Sequence, residues 1–416
     1  MKPALYIALR FTAARKRALV LSLSGVVLGV AFFISTQAQT EGFEQFFVQT
    51  VLGTSGAVVI GDRFQVRYTP PIVQKAGAQM IAVSGEQPRK YYDGIDNPNF
   101  LMRVVESYSG VISVAPVIEG NVTVRTDFKD EVMKLDGIDI KAHLRTTALR
   151  GQIVSGSIER FEAKPLGLLL GSMLADYLQV KVGDILYVTG TEGDTRVFTV
   201  EGIFQTGINI IDETRGYCHE QAAQSIMKRP FAITSVIVRL RDPERAPYFA
   251  KTFEAQLSHQ ARSWQEREAG NLAIFRTLRL SAAITVSLII LLAGFGIFNI
   301  LTMTVLNKVR EIAILRSMGY RRLDIQNIFL YQGLIIATIG STIGCALGAL
   351  LTFGISRIPI KIRGVIHADY FVVSWSWHHY VMAAVIAFVS VLVASYFPAR
   401  RAALLPPVET LRGSGQ

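Results

Sequence analysis

Side chains that could perform chemistry are few in this sequence, and the best candidates for metal binding are two histidines. His378 and His379 are adjacent, and a neutral imidazole is a common metal ligand. They lie beside Trp375 and Trp377 at the start of an apolar run, however, and tryptophan is enriched where a membrane span meets water. We therefore expect an interfacial role for this histidine pair rather than a metal site.

Sequence motifs for nucleotide hydrolysis and for nucleophilic or metal-assisted catalysis are absent. The dipeptide Gly-Lys does not occur, so the chain has no G-x-x-x-x-G-K-[ST] loop to bind phosphates. H-E-x-x-H and G-x-S-x-G are absent as well. Cys218 and Cys345 lie in different segments, so they predict neither a disulfide framework nor a metal site. The sequence therefore predicts a chain that is not an enzyme and binds no cofactor itself.

Four uncharged, apolar runs are each long enough to cross the ~30 Å hydrocarbon core of a membrane, which takes ~20 helical residues. They cover residues 18–40, 280–306, 325–356 and 374–399. The first run could instead be a cleaved signal peptide, because basic residues precede it. Its apolar core is longer than the ~7–15 residues of a signal peptide, so we expect a retained anchor. The sequence predicts an α-helical membrane protein with four transmembrane helices.

Positive charge is concentrated in alternate loops of this predicted topology. The formal net charge is +11. Basic residues outnumber acidic ones in residues 1–17, 307–324 and 400–416, whereas residues 41–279 are nearly neutral. Loops rich in lysine and arginine stay on the cytoplasmic side, so both termini and residues 307–324 are expected there. Residues 41–279 and the short loop 357–373 then face outward. Because this charge flanks membrane spans, it does not indicate nucleic-acid binding.

The outward segment has the sequence pattern of a folded α+β domain. Short β-rich runs such as "QVRYT", "ISVAPVIEGNVTVRT" and "RVFTVEGIF" alternate with helical stretches such as "GSMLADYLQV". The segment is large enough to bury its own core. At its two ends we expect helical stalks, the first ending at Gly53 and the second starting near residue 264. Residues 1–17 predict an amphipathic helix at the inner membrane surface.

A short, charged and helix-prone segment, "NKVREIAILRSMGYRRLDI", separates the second and third spans. Asn307 can begin a short helix as its N-cap, Gly319 can end it, and Asp324 can cap the span that follows. The apolar side chains of this helix are spread widely around its axis; they are Val309, Ile312, Leu315 and Met318. This distribution favours a helix that packs on the membrane spans on one side and on another protein on the other.

The same segment carries a specific resemblance to a known family. "KVREIAILRSMGYRRLDIQNIFLYQGLIIATIGSTIGCALG" and the C-terminal "YFPARRAALLPPVETLRG" closely resemble permeases of the MacB/Lol/FtsX superfamily of ABC transporters. "KLDGID" and "LLGSMLADYLQVKVGD" are similar to the lipoprotein-releasing branch, the LolC/LolE-type permeases. The resemblance implies a MacB-like (type VII) ABC permease of the bacterial inner membrane. Its fold would be four transmembrane helices, with a large α+β periplasmic domain inserted between helices 1 and 2.

The resemblance also implies partners and site residues. A permease of this family uses two copies of a separate ATPase subunit, which consumes ATP and Mg²⁺, and a second permease that is identical or paralogous. The short helix would be the coupling helix that docks into the ATPase, through Glu311, Ile312, Leu315, Arg316, Met318 and Gly319. A lipoprotein or lipid-linked substrate would be extracted by mechanotransmission. It would lie between the first two spans of opposing permeases, near Phe32, Phe33, Phe43, Phe46, Phe295, Phe298 and Ile300.

One departure from the Lol pattern leaves alternatives open. Lol permeases carry a longer loop where this chain has "YVTGTEGDTRVFTV", and in one of the paired subunits that loop recruits a periplasmic chaperone. The tight hairpin around residues 190–194 predicts either the partner without this hook or a Lol-like exporter that engages no such chaperone. A MacB-like pump for peptides, glycolipids or drugs, working with a periplasmic adaptor, is the first alternative. An FtsX-like signalling permease is the second, although such chains usually have a smaller outer domain.

Overall fold

The computed structural model describes residues 3–13, 16–63, 94–95, 97–228, 233–359 and 370–404. Its helices are α1 Pro3–Ala13, α2 Lys16–Ser55, α3 Pro98–Glu106, α4 Ile140–Thr146, α5 Leu149–Gln152, α6 Ile158–Ala163, α7 Ser172–Leu178, α8 Asn209–Thr214, α9 Glu220–Ile226, α10 Ala246–Leu257, α11 Trp264–Arg267, α12 Ala269–Asn307, α13 Val309–Ser317, α14 Arg322–Ser356 and α15 Trp377–Leu404. Its strands are β1 Val58–Arg63, β2 Val111–Arg125, β3 Asp130–Ile138, β4 Ile153–Gly156, β5 Gly167–Gly171, β6 Ile185–Gly190, β7 Thr195–Phe204, β8 Arg215–His219, β9 Ser235–Leu240 and β10 His259–Ser263.

The chain forms two compact units. Residues 47–272 make one unit, which we call the outer domain, and residues 1–46, 273–360 and 369–416 make the other, which we call the membrane unit. Within the described ranges, four helices are long and apolar enough to cross a membrane: Ser22–Ser55, Ala269–Asn307, Arg322–Ser356 and Trp377–Leu404. The first two precede and follow the outer domain in the chain. The predicted fold class, four such helices with a large α and β domain inserted after the first, is confirmed.

The outer domain is built on a ten-stranded mixed sheet with the order β10-β1-β9-β2-β3-β8-β5-β7-β4, while β6 pairs with β2 and β7. The long strand β2 joins two parts of the sheet, because its first half pairs with β9 and its second half with β6. Six of the predicted β-rich runs are strands here, namely β1, β2, β3, β6, β7 and β9. Strands β4, β5, β8 and β10 were not predicted. The predicted strand "QVRYT" lies outside the described residues.

The hairpin between β6 and β7 is as tight as the sequence predicted. Thr189 and Thr195 are paired across it, the Gly190 N–H donates to the Asp194 carbonyl over 2.9 Å, and Gly193 takes a positive φ of 89°. A left-handed residue of this kind suits glycine, which has no Cβ to clash. The hairpin therefore has no room for an additional recruiting loop.

Glycine contacts hold the first membrane helix between two others. A Cβ built on Gly29 of α2 would lie 2.7 Å from Ile290 Cγ1 of α12, and one built on Gly344 of α14 would lie 2.7 Å from Val30 Cβ of α2. Lipid gives no hydrophobic drive for helices to associate, so close backbone approach at small residues supplies the packing energy. Small residues spaced four apart in a span could pack within the chain or between two copies. The structure shows packing within the chain.

The end of α2 differs from the sequence-based prediction. Gly53 does not end the helix, which continues to Ser55, and Gly56 takes the positive φ of 64° that terminates it. Gly53 is needed for a different reason. The Ala148 N–H donates to the Gly53 carbonyl over 2.7 Å, and a Cβ at Gly53 would lie 3.2 Å from Ala148 Cβ. A close approach, rather than a helix stop, explains this glycine.

The short helix α13 begins one residue later than predicted. Lys308 is its N-cap, whereas Asn307 is the last residue of α12. Its end agrees with the prediction, because Gly319 follows it with a positive φ of 95°. The Asp324 carboxylate accepts from the Arg321 N–H over 2.9 Å, so it caps the start of α14 as expected. Residues 405–416, which include half of the C-terminal signature, lie outside the described residues.

Candidate functional site

Helix α13 has one side packed on the membrane unit and one side open. Ile312 and Ala313 are buried, and Ile312 belongs to an apolar cluster with Val305, Ile325, Ile328, Phe329 and Ala399. On the other side, 45% of Ile314 and 72% of Met318 are exposed. Large exposed apolar side chains close together mark a surface that another protein can cover. The packing on the membrane helices inferred from the sequence is therefore present, and a protein partner on the open side stays a prediction.

A groove of about 460 Å³ runs beside α13, and residues of α1 contribute to its walls. It is lined by Tyr6, Ile7, Arg10, Lys308, Glu311, Ile314 and Leu315. Helix α1 packs with Ala8 fully buried in the same apolar cluster as Ile312, so the wall it forms is fixed. Lys308 and Glu311 form an ion pair at the rim. An apolar floor with a charged rim is the usual composition of a protein–protein interface.

The six residues predicted to couple to an ATPase divide between the two sides of α13. The exposed ones are Glu311, Met318 and Gly319, and the buried or half-buried ones are Ile312, Leu315 and Arg316. Arg316 Nη1 donates to the Ala403 carbonyl over 3.3 Å near the end of α15. Arg316 and Ile312 thus attach α13 to the membrane helices, whereas Glu311 and Met318 are available to a partner. Their role toward an ATPase stays a prediction.

The side chains predicted to contact substrate do not form one surface. Phe32 of α2 is 55% exposed and Phe295 of α12 is 62% exposed. Phe33 is fully buried in the core of the membrane unit, so it packs within the chain. The half-buried ones are Phe43, Phe46, Phe298 and Ile300. Phe32 and Phe295 therefore fit a lipid contact best among the seven.

A charge cluster near the outer ends of the membrane helices was missed from the sequence. Glu41 Oε2 of α2 lies 2.8 Å from His379 Nε2 of α15, and Glu41 Oε1 accepts from Ser374 Oγ over 3.3 Å. One helical turn further, Glu44 pairs with Arg279 of α12. Residues three apart on a helix lie on one face, so α2 presents both carboxylates to its neighbours. The cluster joins α2, α12 and α15.

His379 makes a contact that the predicted interfacial role of the histidine pair does not include. His379 is buried against Glu41, which is a structural role rather than a position in an aromatic belt. Trp375 and Trp377 are exposed, as residues of such a belt are. Within the described ranges, no group of three or more His, Cys, Asp or Glu side chains could hold a metal ion. The sequence around the histidines could not predict Glu41 as the partner of His379, because Glu41 lies in another helix.

Comparison with known proteins decides the family. Residues 19–256 match the family of MacB-like periplasmic core domains, and residues 283–407 match the FtsX-like permease C-terminal family. The chain belongs to the MacB/Lol/FtsX superfamily of ABC transporter permeases. The matched residues contain the whole of α13 and most of the sheet, so the fold and the family agree.

Three relatives show how far the similarity of this permease extends. It is 26% identical to the lipoprotein-releasing system transmembrane protein LolC of Xylella fastidiosa, over 94% of this chain and 92% of that one. It is also 26% identical to LolE of Haemophilus influenzae, over 94% and 93%. Against the macrolide export ATP-binding/permease protein MacB of Psychrobacter cryohalolentis, identity is 22% over 96% of this chain but 57% of that protein. The permease thus matches Lol relatives end to end.

Proposed function

We propose that this permease is the transmembrane subunit of an ATP-driven exporter that releases lipoproteins, or other lipid-linked substrates, from the inner membrane. The end-to-end similarity to LolC and LolE supports the substrate class. The observation that carries the transport role is α13, which is fixed to the membrane helices on one side and open on the other. Because the sequence has no P-loop, the work must come from a separate ATPase.

In this proposal the ATPase binds the open side of α13 and the groove shared with α1. Two ATPase copies would bind ATP and Mg²⁺ and close on each other, which displaces the α13 helices of two permeases. Ile312 and Arg316 pass that displacement to α14 and α15. Helices α2 and α12 are unbroken over 40 and 39 residues, about 60 Å each at ~1.5 Å per residue. They are long enough to carry movement from the membrane to the outer domain.

The same proposal sets the topology and the remaining partners. Both termini and α13 lie in the cytoplasm, and the outer domain lies in the periplasm, in accord with the distribution of basic residues. The second permease is identical or paralogous. The tight β6–β7 hairpin supports the assignment of this chain as a subunit that does not itself recruit a chaperone through that loop. Phe32 and Phe295 are proposed to contact the acyl chains of the substrate.

Docking of the ATPase is tested by placing a charge on the open side of α13. We expect Ile314→Asp and Met318→Asp each to abolish co-purification of the ATPase with the permease, because an unpaired carboxylate would have to be buried in the interface. Ile185→Asp is the matched control, since Ile185 is a similarly exposed aliphatic residue of the outer domain. Retention of the ATPase by both α13 variants would refute this docking surface.

The substrate class is tested by depleting the permease and fractionating the membranes. Accumulation of triacylated lipoproteins in the inner membrane is the expected result. A MacB-like exporter is the second candidate, favoured by the short β6–β7 hairpin and by similarity to MacB over 96% of this chain. A normal distribution of lipoproteins, together with increased sensitivity to macrolides or peptides, would replace the first candidate with the second.

A further inference from the structure

One arginine binds the end of the first long helix to the beginning of the second. Arg267 Nη1 donates to the Ser55 carbonyl over 3.2 Å, and its Nη2 donates to the Gly56 carbonyl over 2.9 Å. The last four carbonyls of a helix have no partners within it, and this end carries partial negative charge. Arg267 ends α11, and α12 begins two residues later at Ala269. Its guanidinium therefore caps the C-terminus of α2 from a position just before the start of α12.

The strands next to this arginine bring the two helices to the same edge of the sheet. Strand β1, which follows α2, pairs with β10, which precedes α11, and Val58 lies opposite Ser263. The Trp264 N–H donates to the Ala57 carbonyl over 2.9 Å. Ser263 and Glu266 form a reciprocal capping box at the start of α11. The residues that follow α2 are thus hydrogen-bonded to the residues that lead into α12.

A second arginine extends this connection toward the middle of the sheet. Arg215 of β8 approaches Ser55 Oγ at 3.5 Å with Nη1 and Asp136 of β3 at 3.4 Å with Nε. Burial lowers the pKa of Arg267 to about 10, so its guanidinium is still charged at neutral pH. Withdrawing a cation from water is costly unless it is bound by partners. Separating α2 from α12 here would leave that partly buried charge without its two carbonyl acceptors, so the two helix ends resist separation.

We propose that Arg267 is a positioning residue that makes the ends of α2 and α12 move together with the β1–β10 edge of the sheet. Arg215 supports it by holding Ser55 against the inner strands. Movement of the two helices would then displace the sheet as a body, instead of being absorbed at two independent joints. This inference rests on the proposed transport function, because it describes how the work delivered at α13 reaches the outer domain.

The alternative role of Arg267 is a simple helix cap, and the two roles predict different results. A cap contributes stability alone, so its loss lowers the unfolding midpoint and leaves the amount of ATP used per released substrate unchanged. A positioning residue affects that ratio. The test compares Arg267→Gln and Arg267→Lys with Arg262→Gln, which removes an exposed guanidinium five residues earlier on β10. Lysine keeps the charge but lacks the planar fork that reaches two acceptors at once.

The experiment uses the full permease with its ATPase in lipid nanodiscs. We expect Arg267→Gln to hydrolyse ATP within about twofold of the unchanged complex while substrate release falls at least tenfold, with Arg267→Lys giving a similar loss and Arg262→Gln giving none. If Arg267→Gln does not fold, the test is the ratio of ATP hydrolysed to substrate released by Arg267→Lys. A parallel fall in release and unfolding midpoint, at an unchanged ratio of ATP to substrate, would overturn the proposal in favour of a cap.

A second measurement separates this proposal from the transport function on which it rests. Amide hydrogen exchange in β1 and β10 is followed with and without ATP, which requires no knowledge of the substrate. ATP should change protection there in the unchanged complex and in Arg262→Gln, but not in Arg267→Gln. If lipoproteins are not released yet this difference is found, the substrate assignment fails and the positioning role stands. If ATP changes protection equally in all three, the positioning role fails.

Discussion

Replacing Gly344 of α14 by alanine is expected to destabilise the membrane unit. The added Cβ would lie 2.7 Å from Val30 Cβ, 2.9 Å from Val30 Cγ1 and 3.1 Å from the Val27 carbonyl oxygen. Ordinary van der Waals contact begins at 3.4 Å, so α2 and α14 must separate by about 0.7 Å, the difference between 3.4 and 2.7. Valine is β-branched and has one favoured rotamer in a helix, so Val30 cannot rotate away. Adding a methyl group to such a contact costs about 1–3 kcal/mol.

Gly354, in the same helix, is the matched control for this substitution. A Cβ there would have no atom within 4 Å, so Gly354→Ala brings no clash. Both substitutions gain the same helix propensity, about 1 kcal/mol, and the difference between them isolates the cost of the contact. In bicelles, the free energy of unfolding of Gly344→Ala should be about 1–3 kcal/mol below that of Gly354→Ala. Equal stability of the two variants would refute the packing of α2 on α14.

Two further predictions concern charged groups. Burial lowers the pKa of His143 to about 3. Between that pH and ~6.5, the unfolded chain therefore has a protonated His143 and the folded domain a neutral one. His143 should therefore contribute a loss of about 1.4 kcal/mol per pH unit to the stability of the outer domain as the pH falls from ~6.5 toward ~3. Asp136, whose pKa burial raises to about 6, contributes in the opposite direction, so the test compares the pH slopes of the unchanged protein and His143→Phe in urea unfolding. Equal slopes would contradict the prediction. In the charge cluster, a double-mutant cycle of Glu41→Gln and His379→Gln should give a coupling of about 0.5–3 kcal/mol. Gln49→Ala, at an exposed position further along α2, should give none when it is combined with His379→Gln.

Much of the fold follows from local patterns in the sequence. The membrane helices were predicted because a long apolar run without charges is typical of a membrane span, and α13 because its caps and charges lie within a short stretch. Strand β5 was missed because all five residues of "GLLLG" are buried, and a short apolar run without alternation does not distinguish a strand from a helix. Gly53 was misassigned because glycine marks helix ends and close approaches equally well.

The charge cluster and the role of α1 could not be read from local patterns. Ser374 and Glu41 meet across 333 residues, and no spacing rule connects residues in separate helices. Residues 1–17 were expected to form an amphipathic helix lying at the membrane surface. In the structure Ala8 is fully buried in the cluster around Ile312, and Tyr6 and Arg10 line the groove beside α13. An amphipathic pattern indicates that one face of a helix is covered, but it does not indicate whether lipid or protein covers that face.

The packing of α2 supports the proposal that movement of α13 acts at a distance. Glycine contacts place α2 directly against α14 and α12, where Val30 and Ile290 lie on glycine backbone, and Glu41 ties α2 to α15. Packed cores are bistable rather than continuously deformable, so a displaced α14 must carry α2 with it. Helix α13 is attached to α14 and α15 through Ile312 and Arg316. In the transport proposed above, α2, which runs unbroken to Ser55, would therefore move together with α14.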